Sequence, residues 1–278
     1  MIPPIASRFV AGESAAGVID HARSLDDRNV GTICNLLGEH YDDPADARDD
    51  VAAYESLVDD LAPLDCDVCI SVKPTQLGLD VSVETFQRNL AQVVDHAAAN
   101  DVFVWIDMED HATTQDTLDA FVDRTTAHDG GVGLCLQSNM RRTREDLERV
   151  ADLPGKIRLV KGAYDPPKEL AYQSSQRVNE AYREDLAFMF EQFDDGIAVG
   201  SHDPVMIEHA KALHDEHGTP YEIQMLMGVR EDAQTELARE VPVYQYTPFG
   251  DKWLSYFYRR VMERKSNALF ALRAILKG

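Results

Sequence analysis

Short runs of β-branched and apolar residues alternate with longer segments of helical periodicity, and this alternation constrains the fold more than any other feature. It is typical of βα units whose strands form a parallel sheet. Eight strands with intervening helices favour a closed (β/α)8 TIM-type barrel, because an open doubly wound sheet more often has about five to seven strands. Eight such runs occur, at residues 30–37, 67–73, 102–107, 131–137, 156–161, 196–202, 221–226 and 241–246.

The segments between these runs carry capping residues and apolar positions at helical spacing. A leading helix is predicted at about residues 14–25, and a long final helix at about 251–275. The chain has no linker, so we expect residues 1–278 to form a single catalytic barrel domain. The helical segments include residues 82–99, 143–152, 168–193, 204–217 and 230–239.

Polar side chains recur at the carboxyl ends of the predicted strands, where the active sites of barrel enzymes assemble. Any one of these residues could be a helix cap or a residue of the barrel rim. Seven of them at equivalent positions are hard to explain as caps, so they predict a shared functional site. The seven are Glu39, Lys73, Asp107, Gln137, Lys161, His202 and Tyr246.

The charge of the chain restricts its partners. It has 49 acidic and 27 basic residues, a formal net charge of −22, and this excess disfavours nucleic acid as a partner. The acidic residues are spread along the whole chain, and only eight of the basic residues are lysines. This pattern predicts a halophilic protein with a surface adapted to high-salt cytoplasm; the alternative is an acidic protein from a low-salt organism.

The four cysteines, Cys34, Cys66, Cys69 and Cys135, lie in apolar runs, and the N-terminus does not resemble a cleavable signal. We therefore expect a reduced, cytoplasmic protein. Cys66 and Cys69 would point to opposite faces of a strand, so no metal site is expected from their spacing. No apolar run reaches the roughly 18 residues of a membrane span. Peripheral contact with the inner face of the membrane stays open.

Four stretches of the chain are distinctive in their order and composition. They are VKPTQLGLD (72–80), RLVKGAYD (158–165), YEIQMLMGV (221–229), and VYQYTPFG (243–250) followed by YFYRR (256–260) and Glu263. In these stretches the chain resembles the proline dehydrogenase family, and the resemblance runs from about Leu37 to about Asn267. It implies FAD-dependent oxidation of L-proline to 1-pyrroline-5-carboxylate, with electrons passed on to a membrane quinone.

The resemblance assigns a cationic clamp for the carboxylate of proline. In the family two adjacent arginines bind this carboxylate, and they match Arg259 and Arg260. Lys73 adds a third positive charge, and Glu39 matches a glutamate that pairs with the first arginine when the site is closed. An exposed arginine pair bridged to Glu263 by ordinary helical spacing is the structural alternative.

Further residues match family positions around the substrate. Asp107 and Tyr246 match groups that hydrogen-bond around the substrate and the arginines. Leu159, Tyr164 and Tyr256 match residues that form a wall for the proline ring. Ordinary core packing is the alternative explanation for these three, and for Leu159 the sequence does not exclude it.

The resemblance also implies that the strand ends hold FAD. The chain lacks a Gly-x-Gly-x-x-Gly turn after a strand, so a Rossmann domain is disfavoured. Arg158 is suited to face flavin N5, because a permanent cation there favours the electron-rich reduced ring. The implied set is Gln137, Arg158 and Lys161 near the flavin ring, Ser201 and His202 toward the phosphates, and Gln224 and Glu263 as further contributors.

The chain departs from the family pattern at two positions, and two other function classes are alternatives to the dehydrogenase. Asp165 replaces a frequent aromatic residue, which puts one packing contact of the cofactor in doubt, and Asp203 replaces an asparagine, which brings a charge near the phosphates. A Schiff-base lyase or aldolase-type barrel could use Lys161 as its nucleophile, and absent flavin would favour it. A non-enzymatic barrel with an acidic binding surface would tolerate replacement of its strand-end residues.

Overall fold

The computed structural model describes residues 7–254, and its strands close into a parallel barrel in sequence order. The predicted (β/α)8 barrel is confirmed. The final helix predicted at 251–275 lies outside the described residues except for its first positions, and a single domain over all 278 residues stays a prediction. The strands are β1 (Gly31–Leu36), β2 (Val68–Val72), β3 (Phe103–Ile106), β4 (Val132–Gln137), β5 (Lys156–Val160), β6 (Ile197–Gly200), β7 (Tyr221–Leu226) and β8 (Val243–Phe249).

Helices alternate with the strands, and the predicted leading helix is present as α1. Four of these eight helices, α2, α3, α6 and α7, begin at a side-chain cap; for example, Ser82 accepts a hydrogen bond from the backbone N–H of Thr85. No helix within residues 7–254 is long and apolar enough to cross a membrane. The helices are α1 (Ala15–Asp26), α2 (Pro44–Leu61), α3 (Val83–Ala99), α4 (Thr114–His128), α5 (Thr143–Val150), α6 (Ser175–Gln192), α7 (Pro204–His217) and α8 (Glu231–Leu237).

Two predicted boundaries differ from the structure by three residues or more. Helix α6 begins at Ser175 rather than at residue 168, because Ser174 caps it by accepting from the backbone N–H of Arg177 and the preceding residues form a loop. Strand β8 continues beyond Tyr246 to Phe249, because it pairs with β1 as far as Leu36. The end of β8 therefore depends on a partner far away along the chain, whereas the start of α6 depends on the local cap at Ser174.

The two largest clusters of the apolar core follow from the alternation of side chains along each strand. The larger cluster lies between the barrel and its helices and includes the fully buried Phe86, Phe121 and Tyr182. A smaller cluster of Ile33, Cys69, Trp105 and Ala198 lies inside the barrel. Toward the carboxyl ends of the strands, the interior positions become polar, and the candidate site begins there.

Candidate active site

A cavity of about 500 Å³ opens at the carboxyl ends of the strands, a volume in the usual range of small-molecule sites. The sequence singled out sixteen residues for this region. Tyr256, Arg259, Arg260 and Glu263 lie outside the described residues, and Leu159 does not line the cavity. The other eleven all line it: Glu39, Lys73, Asp107, Gln137, Arg158, Lys161, Tyr164, Ser201, His202, Gln224 and Tyr246.

Asp107 is the centre of the hydrogen bonding in this cavity. Its Oδ1 accepts from Ser71 Oγ at 2.6 Å, its Oδ2 accepts from Tyr246 OH at 2.6 Å, and its carboxylate pairs with Arg158. Burial pushes the pKa of Asp107 upward, but Arg158 and Lys73 more than offset this, so the pKa lies below its ordinary value. Asp107 is therefore a fixed anion that only accepts hydrogen bonds.

Tyr246 keeps its proton in this arrangement. Burial and the adjacent carboxylate of Asp107 raise the pKa of its phenol well above the ordinary value. The phenol must therefore donate to Asp107, and its oxygen lone pairs are the groups that it presents to the cavity. This fixes the direction of the hydrogen bond at one wall of the site.

Arg158 is a buried cation that is held at both ends of its guanidinium. Nη2 pairs with Asp107, and Nη1 donates to Gln224 Oε1 at 3.1 Å. The guanidinium carbon lies 5.1 Å from the centre of the Trp105 ring and 5.6 Å from that of Tyr246. Cation–π contacts and two anchored nitrogens leave the group little freedom, so it presents a permanent charge in one position.

Lys73 has a neutral partner. Its Nζ donates to Asn35 Oδ1 at 3.1 Å, and Asn35 Nδ2 in turn donates to the backbone oxygen of Ser71. No carboxylate among residues 7–254 lies within ion-pair distance of this ammonium group. Lys73 is therefore a cation that is aimed by an amide but not neutralised by it, which suits a site for an anionic group.

Lys161 and the segment that follows β6 form the opposite side of the cavity. Lys161 Nζ donates to Asp203 Oδ2 at 2.7 Å, and Asp203 also caps α7 by accepting from the backbone N–H of Val205 at 3.0 Å. Ser201 Oγ accepts from the backbone N–H of Asp203. His202 Nε2 accepts from the backbone N–H of Leu226 at 3.3 Å, which fixes its tautomer in that position.

The donors and apolar groups of this cavity fit a flavin. Arg158 and Lys161 line the cavity as cations, and Gln137 has its amide oriented by donating to the backbone oxygen of Glu109 at 2.9 Å. Met108 and Leu226 supply apolar surface for a planar ring. A flat aromatic system with polar edges needs this combination of fixed donors and apolar walls.

Leu159 lies on the other side of its strand. It is fully buried in the core between barrel and helices, whereas its neighbours Arg158 and Val160 line the cavity. The geometry therefore favours the core-packing explanation and does not bring Leu159 to a substrate. Leu226 lines the cavity, whereas Leu159 does not, and Leu226 was not among the residues predicted from the sequence. Its position two residues after Gln224 on the same strand is the signal that could have found it.

Comparison with known proteins places the chain in a family. Residues 18–273 match the family model described as proline dehydrogenase. Proline dehydrogenase 2 of Bacillus subtilis is 31% identical, and the match covers 98% of this chain and 90% of that protein. Proline dehydrogenase of Deinococcus radiodurans is 33% identical, with 99% and 91% covered. The matched region includes every described residue of the candidate site.

Solved structures share the fold. Proline utilization A from Bdellovibrio bacteriovorus, inactivated by N-propargylglycine, has a TM-score of 0.86 at 22% identity over 95% of this chain. A mutant of proline utilization A from Bradyrhizobium japonicum has a TM-score of 0.74 at 19% identity over 92% of this chain. The chain spans 33% and 30% of these longer proteins. The family model and the relatives of similar length show more than the fold: the chain belongs to the proline dehydrogenase family.

Proposed function

We propose that this chain catalyses the FAD-dependent oxidation of L-proline to 1-pyrroline-5-carboxylate, the first step of proline catabolism. The observation that carries the proposal is that one cavity contains two cations in different surroundings. Arg158 is neutralised by Asp107 and fixed in place, whereas Lys73 is aimed by the neutral Asn35. The first suits a cofactor edge, and the second suits the carboxylate of an amino acid.

A bound flavin supplies the acceptor for a hydride from the proline ring carbon next to nitrogen. The protein then has three tasks, which are to orient the ring, to hold the carboxylate and to exclude water. Tyr164 and Leu226 line the cavity and can contact the ring, and Tyr246, which is in register with Leu226 on the neighbouring strand, donates to Asp107. Little acid or base chemistry is needed if the ring amine is neutral when it reacts.

Arg259 and Arg260 complete the proposed carboxylate clamp. They lie outside the described residues, and their role rests on the match of the YFYRR stretch to the family pattern. Arg259→Met should weaken proline capture by roughly ten- to a hundred-and-fiftyfold, the value of one hydrogen bond to a charged group. The flavin content should not change. If Arg259→Met bound its full content of flavin and kept a normal kcat/KM for proline, the carboxylate assignment would be wrong. The two arginines would then have the structural role alone.

The proposal specifies FAD as the flavin and a membrane quinone as the electron acceptor. Ser201, His202 and Lys161 lie on the side where the phosphates of a dinucleotide could extend from the ring site. A quinone acceptor requires the protein to meet a membrane surface during turnover, so peripheral contact belongs to the same proposal. Proline-dependent reduction of a quinone in liposomes, compared with detergent-free buffer, tests this part separately.

A visible spectrum of the purified protein tests the central proposal. It should show the two absorption bands of a flavin, and L-proline should bleach the longer-wavelength band under anaerobic conditions. Acid or heat should release FAD, which chromatography distinguishes from FMN. Pyrrolidine, which lacks the carboxylate, is the matched control and should reduce the flavin poorly. A colourless protein with full activity would refute the cofactor assignment.

The lyase alternative predicts different chemistry at Lys161. In the structure, Nζ of Lys161 donates to Asp203 Oδ2 at 2.7 Å, so the amine is held against a carboxylate. Borohydride in the presence of substrate would trap a covalent adduct on a Schiff-base enzyme. The flavoprotein should give no such adduct.

A further inference from the structure

Side chains of β5 and β7 meet inside the barrel, across the strand that separates them. The positions of β6 between them are small residues: Ala198 is in register with Arg158 and Glu222, and Gly200 is in register with Val160 and Gln224. A Cβ atom at Gly200 would lie 3.2 Å from Cγ of Arg158 and closer still to Val160. The small residues therefore open a passage in which polar groups of β5 and β7 reach one another.

A continuous chain of hydrogen bonds fills this passage. Lys156 Nζ donates to Glu222 Oε2 at 2.6 Å, and Gln224 Nε2 donates to Glu222 Oε1 at 2.7 Å. Arg158 Nη1 donates to Gln224 Oε1 at 3.1 Å, and Nη2 of the same residue pairs with Asp107. The charges alternate along the chain, so each carboxylate is matched by one cation. We call these five residues the interior ladder.

The polarity of the ladder is set by its charged members. A carboxylate only accepts and a guanidinium only donates, so the amide of Gln224 satisfies both neighbours in one orientation. In that orientation its NH2 faces Glu222 and its oxygen faces Arg158. If Glu222 could not accept, the amide could turn and present its NH2 to the guanidinium, which also donates. Because Glu222 and Gln224 are both buried, water cannot easily replace a lost partner.

We propose that Glu222 is a positioning residue that acts through Gln224 to fix the guanidinium of Arg158 at the cofactor wall of the cavity. The proposal rests on the proposed function, in which Arg158 faces the flavin. The competing explanation gives Glu222 a structural role alone, as the partner of Lys156 near the amino ends of the strands. The two explanations differ in what they require of Glu222: an acceptor toward Gln224, or a charge toward Lys156.

Two double variants separate the acceptor from the charge. Both contain Lys156→Met, and they combine it with Glu222→Gln, which keeps an acceptor, or with Glu222→Met, which removes it. Neither leaves an unpaired buried charge, and neutral replacement of a buried ion pair is often tolerated. Lys156 lies outside the catalytic groups, so its removal should not affect the chemistry.

If the proposal is right, flavin reduction depends on whether residue 222 can accept a hydrogen bond from Gln224. With Glu222→Gln, flavin reduction by L-proline should stay within about twofold of the parent. With Glu222→Met it should slow about tenfold, which at about 1.4 kcal/mol per decade is the value of one hydrogen bond to a charged group. The midpoint potential of the bound flavin, titrated with dithionite, should fall in the second variant alone because its cation is displaced. Equal rates and equal potentials in the two double variants would overturn the proposal.

A cofactor-free measurement keeps this test independent of the proposed function. The chain has two tryptophans, and Trp253→Phe leaves Trp105, whose ring contacts the guanidinium of Arg158. In apoprotein, the emission of Trp105 should change with Glu222→Met and stay parental with Glu222→Gln. Should L-proline fail to reduce the parent flavin, the proposed function would be refuted, and the potential and the emission would still decide the role of Glu222.

Discussion

The carboxylate of Asp203 has two partners at once: Lys161 Nζ at 2.7 Å and the backbone N–H of Val205, at the first turn of α7, at 3.0 Å. Asparagine, which Asp203 replaces in the family pattern to which the sequence was matched, can cap a helix but cannot neutralise a lysine. In this chain the extra charge of Asp203 is therefore paired inside the site rather than presented free to the cofactor. Its pKa lies below the ordinary value, because its hydrogen bonds outweigh its burial.

We predict that Asp203→Asn binds FAD more tightly than the parent, by roughly three- to tenfold or about 0.7 to 1.4 kcal/mol. Asparagine keeps the helix cap, removes a negative charge beside the expected phosphates and releases Lys161 to meet them. Fluorescence titration of the apoprotein with FAD measures the change. Asp203→Ala is the control for the helix cap. Loss of this cap should lower the free energy of unfolding by about 1 kcal/mol. Weaker binding by Asp203→Asn would instead show that Lys161 needs the carboxylate to hold its position.

The barrel could be predicted from sequence because its signal is repeated eight times and each repeat is local. Strand β7 was placed correctly at both ends, since Pro220 precedes it and a turn follows it. The end of β8 was missed because it is set by pairing of Phe249 with Leu36, more than two hundred residues away along the chain. Periodicity contains no information about such a partner.

In the candidate site, too, contacts between different strands could not be predicted from the sequence. Residues at strand ends were found because barrel topology brings them to one face, and the family pattern names their roles. Asn35, Ser71 and Glu222 were not found, although they orient Lys73, Asp107 and Gln224. Each lies within a strand and acts on a residue of the same or a neighbouring strand. Only the register of the closed sheet shows these contacts.

The net charge of −22 predicts that added salt stabilises the protein. Raising potassium chloride from about 0.1 M to about 1 M shortens the Debye length from about 10 Å to about 3 Å and so weakens repulsion among the excess carboxylates. The Tm should therefore rise over this range. Sucrose at matched osmolarity is the control, because it does not screen charge. A Tm that is flat or falls with potassium chloride would mean that the acidity is not a salt adaptation.

Asp185 predicts a specific dependence of stability on pH. Burial raises the pKa of Asp185 to about 6, although Arg144 Nη2 lies 3.6 Å away. A folded-state pKa above the unfolded value means that the native state binds the extra proton, so this residue costs stability as pH rises from about 4 to about 6. Asp185→Asn should be more stable than the parent above about pH 6, by on the order of 2 kcal/mol, with no gain near pH 4.

Matched melts of a second variant separate this effect from the change in net charge. Asp165→Asn removes the same charge from an exposed position, so its stability should follow the parent across this pH range. If both variants gained equally at neutral pH, the gain would come from reduced net charge rather than from the burial of Asp185.

Lys73 should bind the carboxylate of proline, because its ammonium is aimed into the cavity by the neutral Asn35 and has no ion-pair partner among residues 7–254. Lys73→Met should raise the KM for L-proline by roughly ten- to a hundred-and-fiftyfold, the value of a hydrogen bond between charged groups. Asn35→Ala keeps the charge but loses its anchor, so it should give a smaller rise. Pyrrolidine oxidation and flavin content should be unchanged in both variants. If Lys73→Met impaired pyrrolidine and proline equally, the lysine would act on the ring or the cofactor rather than on the carboxylate.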